Sequence, residues 1–182
     1  MKNKLKLILP NRKYVNAYLK AQKDFETEKS QATTSMINEK HERALHSSKD
    51  FPEYNKRLIK NRKGIDLKKG RVPNTFFWAI VGSKVVGFLD IRHYLNKNLS
   101  TIGGHIGYAV VPSERRKGCA TEMLRLGLKQ SWKLGIKKAL ITCDEDNVGS
   151  RKVIEKNGGV FAGKHKSKEG IKLRYWIYKN ER

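Results

Sequence analysis

Acidic residues are scarce in this chain. Seventeen Asp and Glu stand against forty Lys and Arg in 182 residues, a formal net charge of +23. A field of that sign repels cationic partners and attracts polyanions: nucleic acid, an anionic membrane surface or a phosphorylated small molecule. Twenty-eight of the forty are Lys and Asn is also abundant, a mixture that AT-rich coding produces without any ligand, so charge alone assigns no partner. Cysteine is down to Cys119 and Cys143, without C-x-x-C spacing, which excludes a disulfide framework and reads as reduced thiols of a cytoplasmic protein.

No apolar run approaches the ~18 residues of a membrane span. The opening run, Leu5 to Leu9, is too short for a signal peptide, so neither export nor membrane attachment is expected. The five histidines, His41, His46, His93, His105 and His165, show no metal-ligand pairing with Cys or acids, and G-x-S-x-G is missing. Metal catalysis and a serine nucleophile are therefore not expected. What remains, 38% hydrophobic and 9% aromatic residues, suffices for one ordinary core, and the length suits a single domain over 1–182.

Leu5 to Leu9 reads as a strand stopped by Pro10, followed by a helix with Tyr14, Ala17, Tyr18, Ala21 and Phe25 on one face. Residues 26–50, rich in Ser, Thr, Lys and Glu, predict a loop or weak helix. A helical face returns at Phe51, Tyr54, Leu58 and Ile59 and ends near Gly64, and residues 56–71 carry eight bases against Asp66. Two strands, Thr75 to Val81 and Lys84 to Tyr94, flank the hairpin pair Gly82-Ser83. A strand from Gly104 to Val111 is stopped by Pro112. A helix from Cys119 to Leu134 then buries Ala120, Met123, Leu124, Gly127 and Leu128. A buried strand at Ala139 to Cys143, a helix from Asn147 to Lys156 ended by Gly158-Gly159, and a hairpin of Val160 to His165 with Ile171 to Tyr178 complete a mixed α/β domain.

The chemistry concentrates in Val110-Val111-Pro112-Ser113-Glu114-Arg115-Arg116-Lys117-Gly118-Cys119-Ala120-Thr121. A strand ends, a basic loop turns, Gly118 permits close approach of backbone, and a helix opens with amides that have no partner within it. Those amides and the positive end of the helix dipole suit a phosphate or diphosphate, with Arg115, Arg116 and Lys117 beside them. A near miss for a P-loop at Gly158 to His165 is rejected, because His165 stands where Ser or Thr would bind magnesium and Val160-Phe161-Ala162 reads as strand.

The segment Arg115-x-x-Gly118-x-Ala120, preceded by Val110-Val111-Pro112 and followed past the next strand by the block Asn147 to Val160, resembles the GNAT superfamily of acetyl-CoA-dependent N-acetyltransferases. The likeness is clear from Gly104 to Phe161, and Gly103-Gly104-His105-Ile106-Gly107-Tyr108 looks like a bacterial branch. It implies a six- to seven-stranded mixed, mainly antiparallel sheet with helices on both faces and a cleft where strands four and five part. It implies acetyl-CoA as co-substrate, with Tyr108, Ala109, Val110 and Val111 as the edge that pairs with pantetheine. The amides of Arg116, Lys117, Gly118, Cys119, Ala120 and Thr121, with Arg115, would hold the diphosphate. Asn147 and Ser150 would face the pantetheine or the acceptor, although Asn147 also suits a plain helix cap.

Attack by an amine on a thioester needs a base, since an alkylammonium near pKa 10.4 must first lose a proton. His105 and the acid Asp90, set within Phe88-Leu89-Asp90-Ile91, are the candidates, with His93 a weaker one. Where the family often carries a Tyr proton donor, Ile154 stands here, which leaves Ser150, Tyr108, Tyr178 or no donor at all. A backbone N–H near Val110 would polarise the thioester oxygen. The amine acceptor is unidentified from sequence, a monomer and a homodimer are equally compatible, and a basic nucleic-acid-binding or ribosome-associated module on the same scaffold is the alternative reading.

Overall fold

The computed structural model describes residues 4–27, 45–167 and 170–179, so most of the expected loop at 26–50 and part of the final turn lie outside the described residues. Chain order runs β1 (Lys6–Ile8), α1 (Val15–Glu26), α2 (Phe51–Lys63), β2 (Asn74–Val81), β3 (Lys84–Arg92), β4 (Ile106–Val110), α3 (Cys119–Lys133), β5 (Lys138–Asp144), α4 (Val148–Lys156), β6 (Val160–Ser167) and β7 (Gly170–Tyr178). The strands form two antiparallel ladders, β1-β2-β3-β4 and β5-β7-β6. The expected mixed α/β architecture is present.

Local chemistry sets most boundaries. Asn11 accepts the Lys13 amide at 2.9 Å to open the turn before α1, and Gly64, with φ +74°, ends α2. Gly82, with φ +60°, turns the β2–β3 hairpin.

One face of the β1-β2-β3-β4 sheet packs on α1 and α2 through Tyr18, Phe25, Tyr54, Trp78 and Phe88, with the Tyr18 and Trp78 rings stacked at 4.4 Å. The other, together with the β5-β7-β6 sheet, packs on α3 through Leu89, Ile106, Met123, Leu124, Ile141 and Tyr175. Close seating of α3 rests on Gly127, where a Cβ would stand 2.7 Å from Leu89 Cδ1. Burial of these large apolar side chains, at about 25 cal/mol per Å² removed from water, is the main force joining the layers.

The fourth strand corrects the sequence expectation. It was expected from Gly104, yet the ladder begins at Ile106, because Gly104 has φ +64°. His105 is thereby turned toward β5: its amide donates to the Leu140 carbonyl at 2.7 Å, and its Nδ1 accepts the Leu140 amide at 2.9 Å. A wide helical turn over Leu99–Gly103, which periodicity did not suggest, lies over this junction. Arg92 Nη1 donates to the Gly103 carbonyl, Thr142 Oγ1 to Ile102, and Arg174 Nη2 to Ser100, each at 2.9 Å. The turn thus ties the two sheets together at one end.

Candidate functional site

Past the His105–Leu140 clasp, β4 and β5 share no ladder and part. The Val111 amide donates to the Val86 carbonyl at 3.0 Å, so by alternation the backbone groups of Tyr108 and Val110 point away from β3 and into the gap. Arg115 Nε reaches the Val110 carbonyl from that side, at 3.3 Å. One strand edge therefore lies open beside the loop that leads into α3.

That loop is shaped by two residues with positive φ, Arg116 (+62°) and Gly118 (+78°). Glu122 makes the first helical bond, its amide to the Gly118 carbonyl at 3.2 Å, and no side chain caps the helix. The amides of Cys119, Ala120 and Thr121 precede the helical ladder. A Cβ placed on Gly118 would meet nothing within 4 Å, so the ground in front of the turn is open. This donor set fits a diphosphate.

Lys117 does not face that ground in the way its charge suggested. Its Nζ donates to Glu114 Oε2 at 2.8 Å and to the Ser113 carbonyl at 2.9 Å, and Glu114 also lies 3.7 Å from Lys84. The Lys117 hydrogen bond holds the Glu114 carboxyl below its usual range. A cavity of about 600 Å³ reaches the same turn from the β1 and β2–β3 side, lined by Leu5, Lys84, Val86, Glu114, Lys117, Gly118 and Cys119 among others.

On the opposite wall, Asn147 caps α4 by accepting the Ser150 amide at 2.9 Å. Ser150 Oγ in turn lies 2.8 Å from the Tyr108 hydroxyl, so β4 and α4 are joined across the gap by paired hydroxyls. Burial pushes the Tyr108 phenol up to about 12, keeping it a neutral O–H. Cys143, on β5 beside them, is pushed up to about 11 by burial and then by Asp144, so its thiol stays protonated. Asn157, which sequence reasoning passed over, donates to the Thr121 carbonyl at 3.2 Å and to Val153 at 2.8 Å, tying the end of α4 to the first turn of α3.

The catalytic candidates do not gather at one point. His105 sits in the clasp, and burial, followed by the Arg92 charge, takes its pKa down to about 4. Asp90 is fully buried, accepts Asn74 Nδ2 at 2.5 Å and pairs with Arg92 Nε at 3.4 Å. His93 bonds Thr75 Oγ1 through Nε2 at 2.8 Å. Ile154, where the family often has Tyr, is buried in the core. Among the described residues no group of three or more His, Cys, Asp or Glu is arranged to hold a metal ion, and no helix is long and apolar enough to cross a membrane.

A sheet parted beside an uncapped helix start, with a bare strand edge leading away from it, is a groove shaped for an extended ligand with an anionic end. The family model described as "Acetyltransferase (GNAT) domain" matches residues 28–160, and the chain belongs to that family. The matched region is thus an acetyltransferase domain. A curated relative, the uncharacterised N-acetyltransferase YjdG of Bacillus subtilis (strain 168), is 37% identical over 76 residues, which are 40% of this chain and 41% of that one. The matched stretch thus spans about two-fifths of that relative. Among solved structures, the microcin C7 self-immunity acetyltransferase MccE in complex with acetyl-CoA and AMP superposes with a TM-score of 0.68 at 17% identity, covering 97% of this chain and 93% of that one. RimJ of Mycobacterium smegmatis, in complex with a CoA disulfide, gives 0.69 at 20% identity over 96% and 81%. A RimL ribosomal protein acetyltransferase in complex with coenzyme A gives 0.66 at 16% over 96% and 93%. At these identities the likeness to solved structures is one of fold.

Proposed function

We propose that the protein transfers acetyl from acetyl-CoA to a primary amine by direct attack in a ternary complex. The observation that carries this is the parting of β4 from β5 with the bare amides of α3 at its mouth. The amides of residues 116–121 hold the diphosphate, with the Arg115 side chain at the groove wall. The Tyr108 and Val110 edge pairs with the pantetheine amides as an added strand. A β4 amide near Val110 polarises the thioester oxygen.

Ser150 and Tyr108 supply the proton that the departing thiolate takes up, and the proton shed by the attacking amine passes through water to restore the pair. Their hydroxyls already share a hydrogen bond, Asn147 fixes the Ser150 amide, and burial keeps the phenol protonated. His105 and Asp90 act instead by positioning. The Nδ1 lone pair of His105 is occupied by Leu140, and the carboxylate of Asp90 by Asn74 and Arg92. His105 has no idle basic lone pair, and the Asp90 carboxylate is held by its two partners and shut from solvent. The site works in the cytoplasm, needs no metal and takes no membrane partner.

The RimL neighbour, a ribosomal L7/L12 alpha-N-protein acetyltransferase, suggests a protein N-terminus as one amine to try. The test is thiol release from acetyl-CoA across a panel of amino acids, polyamines, aminoglycosides and peptides, with calorimetry of acetyl-CoA alone. Binding heat with turnover of at least one amine is expected. Absence of heat with folded protein overturns the reading. The nucleic-acid alternative gains nothing specific, since the basic stretch 56–71 contains no aromatic on which a base would stack.

A further inference from the structure

A second cavity, of about 380 Å³, lies at the closed end of the sheet, where the chain leaves α3 and enters β5. Because α3 has 15 residues, this end is about 22 Å along the helix from the diphosphate turn. The walls come from separate parts of the fold: His93 and Tyr94 after β3, His105 before β4, Leu134 and Lys138 around the α3–β5 link, and Trp176 of β7. The volume falls in the range of sites that enclose a small molecule.

The polar groups at this cavity have one sign of demand. His105 is only 8% exposed, and its Nδ1 accepts the Leu140 amide, so the ring proton resides on Nε2. No acceptor for that N–H is found among the described residues, and the ring lines the cavity. The N–H therefore opens on the cavity, where an incoming acceptor can meet it. Lys138 holds its ammonium 5.0 Å from the Trp176 ring centroid. Lys137 joins the same lining, and no Asp or Glu does. Burial keeps His105 neutral at ordinary pH, which makes Nε2 a donor only.

The rest of the lining is apolar and bare. Tyr94 is 55% and Leu134 44% exposed, beside the buried Ile136. Large apolar side chains left exposed around a concavity mark a surface kept for a partner. An inorganic anion would use the donors and leave these side chains wet, whereas a flat ring carrying one carboxylate uses both.

We infer that this cavity is a binding site for a small aromatic carboxylate, its oxygens on His105 Nε2–H and the Lys138 ammonium and its ring against Tyr94 and Leu134. The site is independent of the acyl-transfer groove, so its ligand is neither the acyl donor nor the amine.

The experiment titrates the full chain with benzoate and follows the Trp176 indole N–H in ¹H–¹⁵N spectra, assigned by Trp176→Phe. Acetate and benzyl alcohol serve as controls for the anion and the ring alone. A saturable shift with benzoate is expected, with each control weaker by about tenfold or more. Lys138→Glu is expected to weaken benzoate by about tenfold, as loss of a charge-assisted contact implies, with acetyl transfer unchanged. Any one of three results overturns the inference: no saturable shift, a control that binds as well as benzoate, or an unaltered affinity in folded Lys138→Glu. The unchanged transferase assay separates its failure from a failure of the acetyltransferase reading.

Discussion

The hydroxyls of Tyr108 and Ser150, 42 positions apart in sequence, stand 2.8 Å from each other across the gap between β4 and α4. The pair sits where the open strand edge meets the capped helix.

If the pair donates the proton to the leaving thiolate, removing either hydroxyl removes the function. Tyr108→Phe and Ser150→Ala are each expected to lower kcat by about 10²-fold or more, within the range for general acid catalysis, with little change in the KM for acetyl-CoA. The double variant is expected to lose no more than the worse single one, because residues that act as a unit are not additive. Steady-state thiol release reads both outcomes. Independent, multiplying losses would contradict the shared role.

Gly118 separates binding from folding. A side chain there meets open space, so Gly118→Ala costs only the backbone strain of φ +78°, about 1–2 kcal/mol. Gly118→Glu places a carboxylate in the path of the diphosphate and is expected to abolish the acetyl-CoA-induced thermal shift. Wild type at 100 times its dissociation constant gains about 2.7 kcal/mol. A shift retained in folded Gly118→Glu would remove the diphosphate from this turn.

Acid weakens the fold through His105. Its folded pKa is about 4, below the usual 6.5, so the unfolded chain takes up the proton first as pH falls. The stability from the neutral imidazole is complete above about 6.5 and is lost as pH drops toward 4. His93, lowered by burial, acts in the same direction. Urea midpoints at pH 7.5 and 5 check this. His105→Asn, which offers Leu140 an acceptor that does not titrate, is expected to flatten the profile.

Gly104 is expected to tolerate no side chain. A Cβ there would stand 2.6 Å from the Leu140 carbonyl oxygen, and φ is +64°. Gly104→Ala combines a backbone clash with strain and is expected to cost more than about 2 kcal/mol in equilibrium unfolding. A neutral result would mean that the clasp is dispensable.

What could be read from sequence divides along the range of the interaction. The α3 turn was legible because its parts are contiguous: a strand stop at Pro112, a basic loop, Gly118 and an apolar helical face. The helix of Asn147 was legible for the same reason, its cap lying three residues from Ser150. The start of β4 was not, since Gly104 and His105 leave the ladder to meet Leu140, a partner 35 residues away for the imidazole. Lys117 looked available for an anion, and its pairing with Glu114 three residues earlier is a signal that the sequence did contain. Nothing local announced that Tyr108 meets Ser150, or that Asp90 would be enclosed by Asn74 and Arg92.

The open edge of β4 has a consequence for isotope exchange. Amides of Tyr108 and Val110 point away from β3, whereas Val111 is locked to Val86, so in deuterated solvent neighbouring residues of one short strand are set to exchange at very different rates. A coenzyme tail lying in the gap would slow the fast ones and leave the slow ones alone, an every-other-residue signature that records which side of the strand the tail occupies.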